Sequence, residues 1–364
     1  MGLGRRNPEE GSASLRSNIS RLGCISIGSA LHLSRPDFFS RLFDNLFTSS
    51  TNIFSPQSVP AREIFRLSLF TLGVTATIFA TVSGLLIYVI VRYRHRPGDD
   101  EREPPQIYGS NQIELSWTVI PVLIVVVLFL TSARVIFTIQ NAPAPKAALH
   151  ATVIGHQFWW EFRYPKYGVV TANELHVPVS ANPKQPMPTY LKLATADVDH
   201  SFWVPRLAGK TDLMAGQLNK IWIQPEVPGV YLGQCAQFCG AEHARMLIRV
   251  YAQTPQDFQK WIANQQRDGE QDSSVAEGRS VFEQNACINC HAVKGTVAQG
   301  RFGPDLTHLM SRDTIAAGAL PNTEDNLKNW IKDPDRFKPG CLMPAMKLSD
   351  HDIGQIVSYL VTLH

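Results

Sequence analysis

Two long apolar spans constrain the fold of this chain more than any other feature. Residues 67–91 contain no charged side chain, and residues 115–133 contain none either. Each span reaches the ~18 to 20 residues that a helix needs to cross the hydrocarbon core of a bilayer. A buried helix of a soluble core is a weak alternative for the first span and a better one for the shorter second span. The sequence therefore predicts a transmembrane hairpin of two helices over residues 61–140.

Basic residues at the ends of the spans predict the orientation of the hairpin. Arg92, Arg94 and Arg96 follow the first span directly, whereas Arg134 and then an apolar, Pro-rich stretch follow the second. Because cytoplasmic loops carry an excess of basic residues, we expect the loop between the spans to face the cytoplasm. The long C-terminal part would then lie outside, although basic residues just before the first span weaken this bias.

The length and charge of the chain limit the remaining possibilities. Its 364 residues leave room for two or three domains, and a net charge of +3 is too small to suggest nucleic acid as a partner. Residues 1–60 lack the apolar run of a signal peptide, so we interpret them as a disordered or targeting segment, or as sequence upstream of the true start. Two pairs of cysteines have metal-like spacing and leave Cys24 and Cys341 single, which is not a disulfide framework.

Residues 287–291 form the sharpest motif, Cys-Ile-Asn-Cys-His. Two thiols in such a run can bond to the vinyl groups of one haem while the adjacent histidine reaches its iron. A redox-active cysteine pair or half of a zinc site is the alternative, but no second pair follows to complete a zinc site. The motif predicts a c-type haem attached through Cys287 and Cys290, with His291 on the iron.

The sixth ligand of the haem iron is expected among the last methionines. Met343 and Met346 both qualify by position, and a soft thioether favours reduced iron. Met343 lies in a loop bounded by Gly and Pro, just before a helix that Ser349 could cap. We predict Met343 as the axial ligand and Met346 as a packing residue.

Residues 273–364 resemble an all-α class I cytochrome c domain in three further features. Gly278 and Phe282 lie one helical turn apart and could pack the first helix against the last. The run Gly303-Pro304 resembles the loop whose proline carbonyl accepts a hydrogen bond from the ligand histidine. Trp330 could approach a haem edge or fill the core.

A second cluster of metal-ligating side chains lies upstream. Residues 141–252 alternate apolar and polar positions, which predicts an all-β sandwich or barrel. Into it fall His200, Cys235, Cys239, His243 and Met246. This soft ligand set suits copper in an electron-transfer site, and a second thiolate allows both sulfurs to bridge two coppers.

Two alternatives are open for this cluster. The same cysteines and histidines could hold one zinc ion, or the two cysteines could form a disulfide in an oxidising compartment. Neither would give electrons from an adjacent haem a place to go, which favours copper.

Four motifs carry a resemblance to a known family. They are Glu114-x-x-Trp117-Thr, Gly155-His156-Gln157, Asp197-Val-Asp-His200-Ser-Phe-Trp, and Cys235-x-x-x-Cys239-Gly-x-x-His243-x-x-Met246. From about residue 60 onward the chain resembles subunit II of haem–copper cytochrome c oxidases, and its extra cytochrome c domain makes it similar to the caa-type. The resemblance implies a multi-domain fold, with a transmembrane hairpin, a cupredoxin-like domain over residues 141–252 and a cytochrome c domain over residues 273–364.

The resemblance also implies the metal centre and the activity. The Cu-A centre, a dinuclear copper site, would take the side chains of His200, Cys235, Cys239, His243 and Met246 and the backbone carbonyl of Gln237. The implied enzyme is a proton-pumping cytochrome c oxidase of the bacterial inner membrane, in which electrons pass from the c haem to Cu-A and then to subunit I. Implied partners are subunits I and III, the lipid bilayer, and a donor such as a cytochrome c, a small copper protein or a quinol–cytochrome c reductase.

Three positions limit what the resemblance carries over. Gln237 stands where the family often has a glutamate that joins a magnesium site, and losing this carboxylate weakens the case for magnesium. Phe158 stands where the family usually has the tryptophan that receives electrons from soluble cytochrome c. Glu114 corresponds to a carboxylate that feeds protons toward subunit I, a role that rests on analogy.

Residues 253–272 are predicted to form a polar linker with an amphipathic start. Such a tether would keep the haem domain near the copper site without fixing it rigidly. The competing functions are a membrane-anchored nitrous oxide or nitric oxide reductase component and, more remotely, a zinc-stabilised receptor. The Glu114 motif and the two-helix hairpin favour the oxidase.

Overall fold

The computed structural model describes residues 51–96, 106–141, 145, 148–180, 182, 186–269 and 272–364. The prediction for residues 1–50 therefore lies outside the described residues. Residues 51–58, which the sequence placed in the same disordered or targeting segment, instead pack on the domain beyond the membrane helices. Ser58 is fully buried, and its Oγ accepts a hydrogen bond from the backbone N–H of Gln224 at 2.9 Å.

Two apolar helices confirm the predicted hairpin. Helix α1 spans Val59–Arg92 and α2 spans Asn111–Gln140, and the two pack against each other. Both are long and apolar enough to cross a membrane, and no residue of their most apolar stretches is buried by the rest of the protein. Pro60 stands at the start of α1, where its missing N–H costs nothing. The carboxyl end of α2 is tied to the next domain, because the indole of Trp222 donates to the carbonyl of Ile139 at 2.8 Å.

The central domain is a sandwich of two five-stranded sheets. The strands are β1 Leu149–His156, β2 Trp159–Tyr164, β3 Val169–Ala172, β4 Glu174–Pro178, β5 Thr189–Thr195, β6 His200–Trp203, β7 Thr211–Leu213, β8 Asn219–Ile223, β9 Gly229–Cys235 and β10 Leu247–Gln253. One sheet has the order β3-β2-β1-β5-β8 and the other β4-β10-β9-β6-β7. This confirms the predicted cupredoxin-like β-sandwich.

Alternating side chains explain the core of the sandwich. In β10, Ile248, Val250 and Ala252 are buried and their neighbours are half-buried, which is the period of two expected for a strand with one face on the core. The sheets meet over a cluster that also contains Trp160, Phe202 and the thiols of the predicted copper site. The candidate metal ligands are thus built into the edge of the main core.

The predicted linker differs from the structure over most of its length. Residues 255–265 form helix α3, Pro255–Gln265, which Thr254 caps by accepting the backbone N–H of Asp257. Phe258 and Ile262 on its apolar side are buried in the sandwich core. The amphipathic pattern that suggested a solvated tether is therefore that of a helix whose apolar side covers a sheet.

The C-terminal domain is mainly helical, as predicted. Its helices are α4 Ala276–Gln284, α5 Cys287–Cys290, α6 Glu324–Lys332 and α7 Asp350–Leu360, with a small β11–β12 ribbon at Thr314–Ile315 and Leu320–Pro321. Helix α4 packs on α7 as expected, and Gly278 allows the close approach, because a Cβ there would clash with the carbonyl oxygen of Gln355. Phe282 contacts Tyr359 in the same interface. Ser349 caps α7, accepting the backbone N–H of Asp352 at 3.1 Å.

Candidate copper and haem sites

One loop carries most of the candidate copper ligands. Cys235 ends β9, Met246 directly precedes β10, and the Cys235 N–H donates to the Met246 carbonyl at 2.9 Å. The chain between them returns through Gln237, Cys239 and a short 3-10 turn at His243–Arg245. The antiparallel pairing of β9 with β10 therefore closes the loop and brings its five candidate ligands together.

The side chains of this loop converge with one histidine from the neighbouring strand. The Sγ atoms of Cys235 and Cys239 lie 3.9 Å apart. His200 Nδ1 lies 3.9 Å from Cys235 Sγ, and His243 Nδ1 lies 3.7 Å from Cys239 Sγ. The Met246 Sδ lies 4.0 Å from Cys239 Sγ. Each sulfur of the pair thus has its own imidazole, which is the pattern that a two-metal bridge requires.

Two neighbours fix the orientation of His200. Its Nε2 lies 2.8 Å from the Asp197 carboxylate, which leaves Nδ1 to face the thiols. Burial alone would lower the pKa of His200, but hydrogen bonds to Asp197 and Cys235 outweigh it and raise that pKa. Gly155 is also required, since a Cβ there would lie 2.6 Å from the imidazole Cδ2. The absence of a side chain at Gly155 therefore allows His200 to occupy its position beside the thiols.

Hydrogen bonding between the two thiols shifts their pKa values in opposite directions. The hydrogen bond shared with Cys239, followed by that with His200, lowers the pKa of Cys235 despite burial. The same shared hydrogen bond and burial raise the pKa of Cys239. Because metals bind the thiolate form, metal binding at this pair would release protons.

The donor set fits copper. Both cysteines of the site are free thiols in the structure, so the disulfide alternative is not realised there. Met246 is completely buried beside the thiols, and the carbonyl oxygen of Gln237 lies 3.2 Å from Cys235 Sγ. Soft thiolate and thioether sulfurs combined with imidazole favour copper over hard cations. The side chain of Gln237 is exposed rather than directed at the thiols.

Three candidate haem ligands lie on a short helix and directly after it, and a neighbouring loop contacts the histidine among them. Cys287 and Cys290 bracket the short helix α5, and His291 follows it. His291 Nδ1 lies 2.8 Å from the carbonyl oxygen of Pro304, as expected, which leaves Nε2 free to face an iron. Burial lowers the pKa of His291, which favours the neutral ligand form. A side chain at position 303 would displace His291, because a Cβ at Gly303 would lie 2.6 Å from the His291 ring.

A cavity of about 230 Å³ opens between these cysteines and the last loop of the chain. Met343 and Met346 both line it, and Met343 also packs on the buried core of the cytochrome domain. Trp330 also lines this cavity and is only partly buried. The site fits a haem, because it joins two thiols, an imidazole and a thioether around one largely apolar space.

The haem cavity reaches the copper domain, which the sequence did not predict. Gln157, Phe158 and Trp159 at the β1–β2 turn line it together with His291. The Gln157 side-chain amide donates to the carbonyl oxygen of Cys239 at 2.6 Å. The Gly-His-Gln motif was the available signal, but sequence gives no distance between two separately folded domains. Phe158 is buried, so it offers no exposed docking face.

Glu114 lies away from both candidate sites. It stands in the first turn of α2, with an exposed side chain that folds back toward Gly109. A location at a helix end beside the apolar span suits an interfacial residue. No contact within the described residues distinguishes a role in proton uptake from that ordinary one.

Comparisons with known proteins match all three parts of the fold in order. Family models for the transmembrane domain and the periplasmic domain of cytochrome c oxidase subunit II match residues 49–135 and 183–253, and one for cytochrome c matches residues 275–364. Cytochrome c oxidase subunit 2 of Alkalihalophilus pseudofirmus is 34% identical over 315 residues, covering 85% of this chain and 89% of the relative. The same subunit of Bacillus sp. (strain PS3) is 33% identical over 291 residues, covering 74% and 80%. The solved periplasmic domain of subunit II from Bradyrhizobium japonicum is 27% identical, with a TM-score of 0.31, covering 34% of this chain and 96% of that one.

Proposed function

Because the chain belongs to the cytochrome c oxidase subunit 2 family, we propose that it accepts electrons at a covalently attached c-type haem and passes them through a dinuclear copper centre to subunit I. It is a membrane-anchored subunit that works with other subunits of a haem–copper oxidase. In the proposed complex, subunit I reduces oxygen to water and pumps protons. The observation that carries the proposal is the hydrogen bond between Gln157, in the haem cavity, and Cys239, in the copper site.

The roles of the copper-site residues follow from their contacts. Cys235 and Cys239 would bridge the metals, and His200 and His243 would each bind on one side. Met246 and the Gln237 carbonyl would complete the ligand set. A sulfur-rich dinuclear copper site supplies one-electron transfer with little change in geometry. Asp197 and Gly155 position His200, so the imidazole does not have to reorient when the charge of the site changes.

In the haem domain the protein would supply attachment and axial ligation. Cys287 and Cys290 would hold the porphyrin covalently, and His291 and Met343 would supply the two protein ligands of the iron. The Pro304 carbonyl keeps the imidazole in the tautomer whose Nε2 faces the metal. The largely apolar lining of the cavity would lower the polarity around a bound haem and so help to set its potential.

The proposal also includes the orientation of the chain in the membrane and its partners. The copper and haem domains would lie on the periplasmic side of a bacterial inner membrane, with the loop between the spans in the cytoplasm. The donor would be a cytochrome c, a small copper protein or a quinol–cytochrome c reductase, and subunit III would complete the assembly. Glu114 would take up protons for subunit I, and the proposal assigns no magnesium to Gln237.

A rapid-mixing experiment on the purified oxidase complex tests this order of transfer. A reduced one-electron donor should reduce the c haem first, and the absorption of oxidised copper should then bleach. In a Cys235→Ser variant the haem should still be reduced, but copper bleaching and oxygen uptake should be lost. Bleaching of copper before haem reduction would contradict the proposed direction.

A further inference from the structure

We propose that Glu174 is a docking residue that locks the cytochrome domain onto the copper domain in the arrangement that transfers electrons. Glu174 begins β4 of the sandwich, and its side chain is almost completely buried, with 1% exposure. Its Oε1 accepts the backbone N–H of Thr314 at 2.9 Å and the Thr314 hydroxyl at 2.7 Å. Its Oε2 accepts the backbone N–H of Asp313 at 3.1 Å. These hydrogen-bond donors all belong to the cytochrome domain.

The chemistry of this carboxylate depends on docking. A buried carboxylate is costly unless it is hydrogen-bonded, and hydrogen bonds to a charged acceptor are among the strongest in proteins. Among the described residues, the hydrogen bonds to the Glu174 carboxylate come from residues 313 and 314 alone. If the cytochrome domain moved away, water would have to replace all of them. Glu174 therefore stabilises the docked arrangement specifically, rather than the sandwich itself.

Neighbouring contacts show that residues 312–319, here called the docking loop, fit this surface closely. The hydroxyl of Tyr251 on β10 donates to the Asp313 carboxylate at 2.5 Å. Ala317, 1% exposed, is buried in one cluster with Trp159 and Ala172 of the copper domain. Ala317 has a φ of 58°, a left-handed conformation that is uncommon for alanine. The packing of Ala317 against Trp159 and Ala172 holds it in this conformation.

The docking loop also forms part of the haem cavity. Arg312, Thr314 and Ala317 line that cavity together with Gln157 and Phe158 of the copper domain. A shift of the loop would therefore change the wall between the haem site and the copper site. The buried Lys338 of the cytochrome domain adds a further hydrogen bond to the copper domain, because it donates to the Phe158 carbonyl at 2.9 Å.

The inference rests on the proposed electron transfer, but one of its readouts does not. In the full-length chain, hydrogen exchange at the amides of residues 313 and 314 should accelerate at least about tenfold in Glu174→Ala, because both amides lose their hydrogen-bond acceptor. Exchange in α4 and α7 should not change. Exchange at residues 313 and 314 that matches the wild type would overturn the proposal, whether or not the chain carries copper.

The second readout is the transfer rate in the assembled oxidase. Glu174→Ala should slow copper bleaching after haem reduction by at least about tenfold, with normal haem and copper spectra. Tyr251→Phe removes the hydrogen bond to Asp313 at another point of the same interface and should also slow transfer, whereas Glu277→Ala removes an exposed carboxylate of α4 and should have no effect. Wild-type rates in both interface variants would overturn the docking role. Absence of a copper signal in the wild type would instead contradict the proposed function, and the exchange measurement would still decide the docking.

Discussion

The side-chain amide of Gln157 donates a 2.6 Å hydrogen bond to the backbone carbonyl of Cys239. The same glutamine lines the cavity that holds the candidate haem ligands. Gln157 therefore links one wall of the candidate haem cavity to the backbone of the candidate copper site. Both partners of this hydrogen bond belong to the copper domain, so it fixes the position of that wall relative to Cys239.

The first prediction concerns this contact. Gln157→Ala should slow electron transfer from haem to copper several-fold, because it removes the bridging hydrogen bond and leaves the Cys239 carbonyl without its amide donor. Copper and haem contents should stay normal. Gln266→Ala is the matched control, because Gln266 also donates its amide to a carbonyl, that of Tyr167 at 2.9 Å, outside either site. Equal transfer rates in the two variants, measured by rapid mixing, would show that the contact has no part in transfer.

The second prediction concerns the space beside His200. Gly155→Ala places a methyl group 2.6 Å from the imidazole, so His200 must move and copper occupancy should fall. Overpacking of this kind costs about 1–3 kcal/mol of folding stability. Gly354→Ala in α7 is the control, because its Cβ meets no atom within 4 Å. Copper analysis and thermal unfolding should separate the two variants, and full copper occupancy in Gly155→Ala would refute the steric argument.

The third prediction assigns the axial methionine. Both Met343 and Met346 line the cavity, so the structure leaves the choice to spectroscopy. Met343→Ala should lose the absorption of a low-spin His/Met haem, while Met346→Ala should keep it. The reverse pattern would transfer the ligand role to Met346.

The fourth prediction concerns the pH dependence of stability. Burial lowers the pKa of Lys338 from 10.5 to about 8. Between these values the unfolded chain binds more protons than the folded chain, so the stability of the fold should rise with pH across this window, by at most about 3 kcal/mol.

A lysine pair tests the source of that slope. Lys338→Met should flatten the pH dependence of unfolding between pH 8 and 10.5, whereas Lys260→Met, which removes an exposed lysine, should preserve it. Denaturant unfolding of the full-length chain at several pH values gives the slope. A slope that survives in Lys338→Met would assign it to another group.

Local pattern was sufficient to predict the three parts of the fold. Two charge-free spans predicted the helices, and the resemblance of the Gly303-Pro304 run to a cytochrome c loop predicted the contact of His291 with the Pro304 carbonyl. These features depend on spacing within short segments, which the sequence displays directly. The candidate side-chain ligands of the copper site could also be predicted, because four of the five lie in a single hairpin loop and only His200 lies outside it.

Contacts between separately folded parts were beyond the sequence. Residues 255–265 looked like the start of a polar tether, but their apolar side packs on the sandwich. No motif in the sequence marks Glu174, whose hydrogen-bond donors lie 139 and 140 residues later in the chain. No repeating pattern within a short segment predicts this contact, because it forms only where the surfaces of two folded domains meet.

The metal content of the purified full-length chain tests the central claim most directly. The ligand sets described above predict about two copper ions and one covalently bound haem iron per chain. A Cys239→Ser variant should lose the copper and keep the haem, whereas a Cys290→Ser variant should lose normal haem attachment and keep the copper. Zinc in place of copper, or a chain without covalent haem after expression with a cytochrome c maturation system, would contradict the account.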